Sequence, residues 1–471
     1  MSNKGSNNLL ELDKTYLTLD EIFYSLQVPQ PVKEPSIFCY NKELAKKLNI
    51  GLSENEIIDY FSGNKIIPNT KPFAQAYAGH QFGYFTILGD GRAIILGEIR
   101  FKDKLYDIQL KGSGRTPYSR GGDGRATLPT MLREYLISEA MHNLKIPTTR
   151  SLCIIETKDK VYRQTEQSGA VLTRIAQSHI RIGTFEYASL MGIKQLKQLL
   201  NYTIERHYPE LKNDNNPAKA LLKKVMDKQI KLIVEWLRVG FIHGVMNTDN
   251  TSISGETIDY GPCAFMNSYD EKKVYSSIDA QGRYSFGNQA NIIKWNIVKL
   301  AEALLSLICE NEEESIKIAE EIISGFNEKY QNAYITMMSK KLGLLSKKEG
   351  DLQLINELLT LMRKYKRDYT NTFFKLSNNE NPFTEVEERD WFIRWKERIE
   401  KQDQIKTEKV MQNTNPALIP RNHHVEKAIR DKTEFESLLQ ALKNPYDHEN
   451  VNKEFQKPPE SEIGYKTYCG T

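Results

Sequence analysis

The amino-acid sequence predicts an α+β protein in which a strand-rich region precedes a larger helical one, and three observations carry that prediction. From about residue 73 to 170, β-type apolar runs alternate with glycine turns around a single helical stretch. Beyond 190 the apolar residues recur at helical spacing, as in ALLKKVMDKQIKLIVEWLRVGF and NIIKWNIVKLAEALLSLICE. Ahead of the strands, residues 1–72 mix short helical and turn signals and end at IIPNTKP, a boundary rich in turn formers. At 471 residues the chain is long enough for a large core and for two or three subdomains. A cleft between a strand-rich and a helical lobe is the default place for a ligand.

Composition narrows the classes of function. An apolar fraction of 39% with 27% charged residues describes an ordinary soluble chain. A formal net charge of +4, with acids and bases interspersed, does not predict a nucleic-acid partner, although a local anion site stays open. No run approaches the roughly 18 to 20 apolar residues that span a bilayer. The opening MSNKGSNNLLELDKTYL has neither a secretory nor a transit pattern, so a cytoplasmic location without a membrane partner is expected. The five cysteines, Cys39, Cys153, Cys263, Cys309 and Cys469, form no C-x-x-C pair, which argues against a zinc site and a disulfide scaffold. Cys469 in TYCGT reads as either an inert tail residue or an exposed redox-active thiol.

Taken in order, the elements place chemistry at the cleft. In YFTILGDGRAIILGEI, two β-type runs flank Gly89, Asp90, Gly91 and Arg92, which reads as a hairpin whose bare tip lets backbone N–H groups approach phosphate, with Arg92 adding charge. The strand LYDIQLK alternates with period two, so Asp107, Gln109 and Lys111 share a face and Lys111 ends the strand. Next comes GSGRTPYSRGGDGRA, too glycine-rich for core and too basic for a neutral spacer. It holds Asp123 and three arginines, and reads as an element closing over phosphates. Residues 128–144 form a helix by the spacing of Leu128, Met131, Leu132, Tyr135 and Leu136. A strand lysine paired with a carboxylate on that helix would hold a nucleotide phosphate, and periodicity leaves Glu134 and Glu139 as equal candidates. In VLTRIAQSHIRIGTFEY, Arg174 and Arg181 stand among buried-type residues and require anionic partners, either a carboxylate or a phosphate.

The segment HGVMNTDNTSISGETIDYG, residues 243–261, resembles a kinase catalytic loop with its base missing. In such loops an aspartate precedes the metal-binding asparagine by five positions; here the asparagine is Asn250 and Val245 stands where the base belongs. TSIS and TIDY around Gly255 and Glu256 predict a two-residue hairpin. That register brings Asn250 and Asp259 to its open end, where they share a hard cation such as Mg²⁺.

The strings GHQFGYFTILGDGRA, QLKGSGRTPYSRGGDGRA, REYLISEAMHNLKIPTTRSL, RIGTFEY and NTDN…DYGP closely resemble the selenoprotein O family, also called YdiU in bacteria. The resemblance spans nearly the whole chain and is strongest over 73–187 and 243–263. It implies a protein-kinase-like bilobal fold without the usual catalytic aspartate. Residues 1–72 would be an extension packed on the core, 73–187 an N-lobe, 188–310 a C-lobe and 311–471 a helical region with a cysteine tail. It further implies that the nucleotide binds in reverse, and that AMP from ATP, or UMP from UTP, passes to Ser, Thr or Tyr hydroxyls of proteins with Mg²⁺ or Mn²⁺.

Residue by residue, the resemblance makes Lys111 the phosphate-binding lysine and Glu134 its partner. It makes Gly89, Gly91, Arg92, Asp123, Gly124, Arg174, Arg181 and Asp259 nucleotide contacts, Asn250 and Asp259 metal ligands, and Asp249 the proton acceptor. Cys469 matches the family's tail cysteine, but the second cysteine found in some members has no counterpart, since only Cys263 follows Asp259 closely. Two other readings compete: a kinase moving the γ-phosphoryl group with Asp249 or Asn247 as base, and a non-catalytic nucleotide-binding scaffold. The retained lysine and metal ligands disfavour the scaffold.

Overall fold

The computed structural model describes residues 10–468. The strand-rich region folds into one antiparallel sheet containing β1 (Tyr24–Leu26), β2 (Ser36–Tyr40), β3 (Phe73–Gln81), β4 (Tyr84–Gly89), β5 (Ala93–Phe101), β6 (Lys104–Lys111), β7 (Ala126–Thr127), β8 (Arg150–Tyr162) and β9 (Glu166–Ala176). The order is β1-β3-β5-β6-β9-β8-β2, with β4 added on β3 and β7 on β9. Thus β1 and β2, which precede the Pro-rich boundary, are strands of the same sheet.

Alternation along the strands divides the apolar residues between two cores. One face carries Ile108, Leu110, Ile155, Val171 and Ile175 against Ile57 and Phe61 of α2 (Glu54–Ser62), beside α1 (Lys42–Lys47). The other carries Ile154 and Leu172 against Leu132 and Leu136 of α3 (Leu128–Asn143), and this core continues into the helical region. There α4 (Ile182–Met191), α5 (Ile193–His207), α6 (Pro217–Val239) and α7 (Gln289–Ile308) pack together, and further helices run from Glu312–Ser324 to Lys453–Gln456. The α+β class therefore stands.

Two predicted hairpins do not form. The runs around Gly89–Arg92 are strands β4 and β5, but β4 pairs with β3 from Gln81↔Tyr84 to Ala76↔Gly89, while β5 pairs with β6. The connection between them is pinned to β3 instead: Asp90 N donates to the Gln75 carbonyl at 2.9 Å. The second correction concerns residues 251–260. Ile253 N bonds Ile180 O at 3.0 Å and Ile182 N bonds Thr251 O at 2.9 Å, while Thr257 N bonds Pro147 O at 2.9 Å. Each arm finds its backbone partner in a different element, so the local two-residue turn never closes a ladder. What brackets the segment is a short pair, β10 (Phe241–Ile242) with β11 (Ala264–Phe265).

Candidate active site

Behind Lys111, at the end of β6, lies a buried network of two cations and two carboxylates. Lys111 Nζ stands 2.8 Å from Glu134 Oε2 on α3 and 2.9 Å from Asp259 Oδ1. Arg174 on β9 donates from Nε to Glu134 and from its terminal nitrogen to Asp259. Burial pushes the Glu134 carboxyl up, but Arg174 and Lys111 outweigh it and hold the group below the usual carboxylate range. Asp259 behaves likewise, with Arg174, Lys111 and Arg181 overcoming burial to hold it well below that range. Glu139, the other candidate on the helix, faces elsewhere: its carboxylate takes Arg150 Nε at 2.8 Å and Asn41 Nδ2 at 2.8 Å.

In front of this network opens a cavity of about 520 Å³, of the size that accepts a small ligand. Gly89, Gly91, Arg92, Lys111, Asp123, Gly124, Arg174, Arg181 and Asp259 all line it. Six arginines and Lys111 face three aspartates there, so the cavity suits a polyanion. Arg181 shows how little its own fold satisfies it. The guanidinium lies over the Tyr77 ring at 4.2 Å, one nitrogen is 3.4 Å from Asp90 Oδ1, and Nε is buried without a partner. The glycines do more than bare the backbone. A Cβ on Gly89 would fall 2.3 Å from Tyr118 Cγ, and on Gly124, at φ 68°, 2.1 Å from the Gly114 carbonyl carbon. The 112–126 loop can close on itself and on β4 only with glycine at these places.

Sequence reasoning missed Tyr77, Asp90, Tyr118 and Arg163 in this wall. Arg163, from the β8–β9 turn, makes a two-pronged pair with Asp123 at 2.8 and 2.9 Å and belongs to no motif that would have revealed it. Asp90 and Tyr118 sit inside the quoted glycine strings, where the burial of the one and half-burial of the other were not legible.

Asp249 and Asn250 lie outside the cavity wall, on a single 3₁₀ turn, Thr248–Asn250. Asp249 is buried under β3, where a Cβ on Gly79 would fall 2.3 Å from its Oδ1. That oxygen has no hydrogen-bond partner, and burial pushes the carboxyl up to about 6 against the pull of Arg181. Asn247, the alternative base, is an amide whose Oδ1 already accepts from Phe82 N at 3.1 Å and Tyr284 Oη at 2.7 Å. Val245 is buried, and its carbonyl accepts Asn250 Nδ2 at 3.1 Å. His243 is structural: its ring stacks on Trp236 and Nε2 bonds the Ile258 carbonyl at 2.8 Å.

For a divalent cation the donors are few. Among the described residues no three His, Cys, Asp or Glu side chains come together as a metal site. Asp259 is ionised and 24% exposed toward the cavity, and the bond from Asn250 Nδ2 leaves that side chain's oxygen as an acceptor. Because the 251–260 hairpin does not form, its register does not bring Asn250 to Asp259, and with Asp259 Oδ1 already taken by Lys111 and Arg174 a cation held here would draw most of its ligands from phosphate and water. Asp259 itself is held at φ 62°, a left-handed conformation that aspartate tolerates, with Gly261 N bonded to its carbonyl at 2.8 Å.

Residues 8–446 match the family model described as Protein adenylyltransferase SelO. The chain belongs to that family. Among curated relatives, it is similar to a protein nucleotidyltransferase YdiU of Clostridium perfringens (strain SM101 / Type A), 50% identical across 100% of both chains. It is likewise similar to that of Bacillus mycoides (strain KBAB4), 49% identical across 100% of both. The family is one of enzymes of the nucleotidyltransferase class. Cys469 lies outside the described residues, but the tail reaches the Asp259 segment: Thr467 Oγ1 donates to the Pro262 carbonyl at 2.6 Å. Cys263 beside it is buried, and burial pushes its thiol up to about 12, which makes it a poor nucleophile.

Proposed function

We propose that this protein transfers a nucleoside monophosphate, AMP from ATP or UMP from UTP, to Ser, Thr or Tyr hydroxyls of other proteins. The observation that carries the proposal is the pairing of a cation-lined cavity with a carboxylate displaced from the kinase base position. Val245 cannot accept a proton there, whereas four residues on Asp249 has a free, buried oxygen and a raised affinity for protons. The relatives' names, protein nucleotidyltransferase, support the same reading.

In this reading Arg92, Arg174, Arg181 and Lys111 neutralise the triphosphate, and Glu134 fixes the lysine. Gly89, Gly91, Asp123 and Gly124 shape the nucleotide contact. Asn250 and Asp259 would hold Mg²⁺ or Mn²⁺, which when bound screens phosphate charge and steadies the leaving group. The acceptor oxygen attacks the α-phosphorus, the bond to the bridging oxygen breaks, and pyrophosphate leaves with that electron pair. Asp249 takes the hydroxyl proton. We read residues 73–187 and 188–310 as the two lobes of a kinase-like fold, with 1–72 packed on them, 311–471 as a helical extension, and the nucleotide reversed between the lobes.

The test is which phosphate stays. With Mg²⁺ or Mn²⁺, label from α-labelled ATP should enter protein, and label from γ-labelled ATP should appear only in pyrophosphate. Stable protein labelling from the γ position with none from the α position would establish a kinase and overturn the proposal.

A further inference from the structure

Strand β4 is an edge that lacks the usual protection. Among the described residues it pairs only with β3, in continuous register with no bulge, and its sequence YFTILG carries neither a charge nor a proline. Edges of that kind are templates for another extended chain unless blunted. Its far end is covered, with Leu88 buried and Gly89 packed on Tyr118, but the half next to the β3–β4 turn is open. Tyr84 is 80% exposed on one face, and Phe85 and Ile87 are 44% and 58% exposed on the other.

The edge leads to the reacting carboxylate. The hairpin joining β3 to β4 is anchored on the catalytic turn, with His80 N donating to Thr248 Oγ1 at 2.7 Å and Phe82 N to Asn247 Oδ1. Gly79, which covers Asp249, is paired with Thr86 of β4. From Phe85 a continuous aromatic strip runs through His80 to Trp295 of α7, with ring centroids 5.2 Å apart at each step. Two cations lie over Trp295, Arg283 at 5.0 Å and Lys299 at 5.3 Å.

The charges along this strip are unbalanced. Lys299 pairs with Glu302, and Glu186 is turned to His80. The Asp279 carboxylate is taken by the backbone amides of Arg283 and Tyr284, each at 2.8 Å. Among the described residues no salt bridge to a carboxylate is formed by Arg283, whose side chain bonds that of Tyr284 while its Nε is buried and unbonded.

We infer that β4 and the Arg283–Trp295–Lys299 strip form the docking surface for the acceptor protein, which binds as an extended, acidic segment beside its modified hydroxyl. This rests on the transfer reading above. An added strand supplies backbone hydrogen bonds without sequence demands, while Arg283, which no carboxylate neutralises, selects acidic side chains near the hydroxyl, and Lys299, shared with Glu302, adds to the same field.

The test uses the full chain, α-labelled ATP and three synthetic peptides sharing a central Ser–Thr in a valine-rich β-forming frame. Their flanks carry aspartate and glutamate, asparagine and glutamine, or lysine. The acidic peptide should be labelled with kcat/KM about tenfold above the amide peptide, and the lysine peptide should be poorest. Arg283→Glu and, separately, Lys299→Glu should reverse that order with the KM for ATP unchanged. Tyr84→Lys should raise KM for all three peptides. Equal labelling of the three peptides, or an order untouched by both charge reversals, would overturn the inference. So would label that enters cellular proteins but no peptide, which leaves the transfer reading standing; label from the α position entering nothing at all overturns both. A dimer that Tyr84→Lys dissociates would assign the edge to a second copy of this chain and also overturn it.

Discussion

Lys111, Glu134, Arg174 and Asp259 form one electrostatic unit, so none of them has a separable value. A buried carboxylate or cation that loses its partner is left uncompensated, and such losses cost about 3–5 kcal/mol. We expect Glu134→Ala to lower unfolding free energy by about that much, read by denaturant titration. Lys111→Ala and Glu134→Ala should be strongly non-additive, because each removes the same contact of 2.8 Å. Additive effects on both stability and nucleotide affinity would refute the pairing as an energetic unit. Asp249 poses the opposite case, a carboxylate whose burial outweighs the pull of Arg181 and the hydrogen bonds from its own backbone and Gln81. Asp249→Asn should cost transfer about 10²- to 10⁴-fold while leaving nucleotide affinity, measured calorimetrically, within a few-fold. Wild-type turnover in that variant would remove Asp249 from the reaction.

Among the elements, β3 passes closest over the Thr248–Asn250 turn. Gly79 meets Asp249 and Gly183 of α4 meets the Ala78 carbonyl, where an added Cβ would fall 2.3 Å and 1.9 Å from the respective atoms. The close approach, not a special backbone angle, is what excludes a side chain here. Gly79→Ala should push the carboxylate aside, and displacement of about 1 Å at a reacting group costs on the order of 10²-fold. The fold should survive, since the turn rather than the sheet gives way. Circular dichroism and kcat on the same sample separate the two outcomes, and an unchanged kcat would show that Asp249 does not act from its present position.

On the scale of the whole molecule, Glu256 ties the segment carrying Asp259 to the β9–α4 connection between Arg174 and Arg181. Its carboxylate accepts Gln177 N at 2.9 Å, Gln177 Nε2 at 3.1 Å and Ser254 Oγ at 3.1 Å. Burial outweighs these bonds and pushes the carboxyl from 4.5 up to about 7. The folded state therefore binds a proton more tightly than the unfolded one, and this group's contribution to stability falls as pH rises from about 4.5 through about 7. Glu256→Gln keeps a neutral group of the same shape. It should melt close to wild type at pH 4 and progressively above it as pH approaches 8, by calorimetry. A difference independent of pH would mean that Glu256 is not held protonated by its burial.

Much of the site was legible because its chemistry is local in the chain. Period-two alternation placed Lys111 at the end of a strand, helical spacing placed Glu134 and Glu139 on one helix, and the glycine strings marked the loops that now wall the cavity. Choosing between the two glutamates was beyond periodicity, since both lie on α3 and only the position of β9 brings Arg174 to Glu134 and leaves Glu139 to Arg150. The two failed hairpins have a common cause. A turn signal states where a chain can reverse, whereas pairing depends on which backbone is free nearby, and β3, Ile180 and Pro147 were closer partners than the neighbouring arm. Arg163 and Asp90 were invisible for the same reason: their roles arise from Asp123 and Arg181, which are distant in sequence. Residue types, periods and turn residues are properties of the chain alone. Burial, charge pairing and the proton affinity of Asp249 belong to the packed molecule, because desolvation and Coulomb interaction exist only once remote segments share one low-dielectric space.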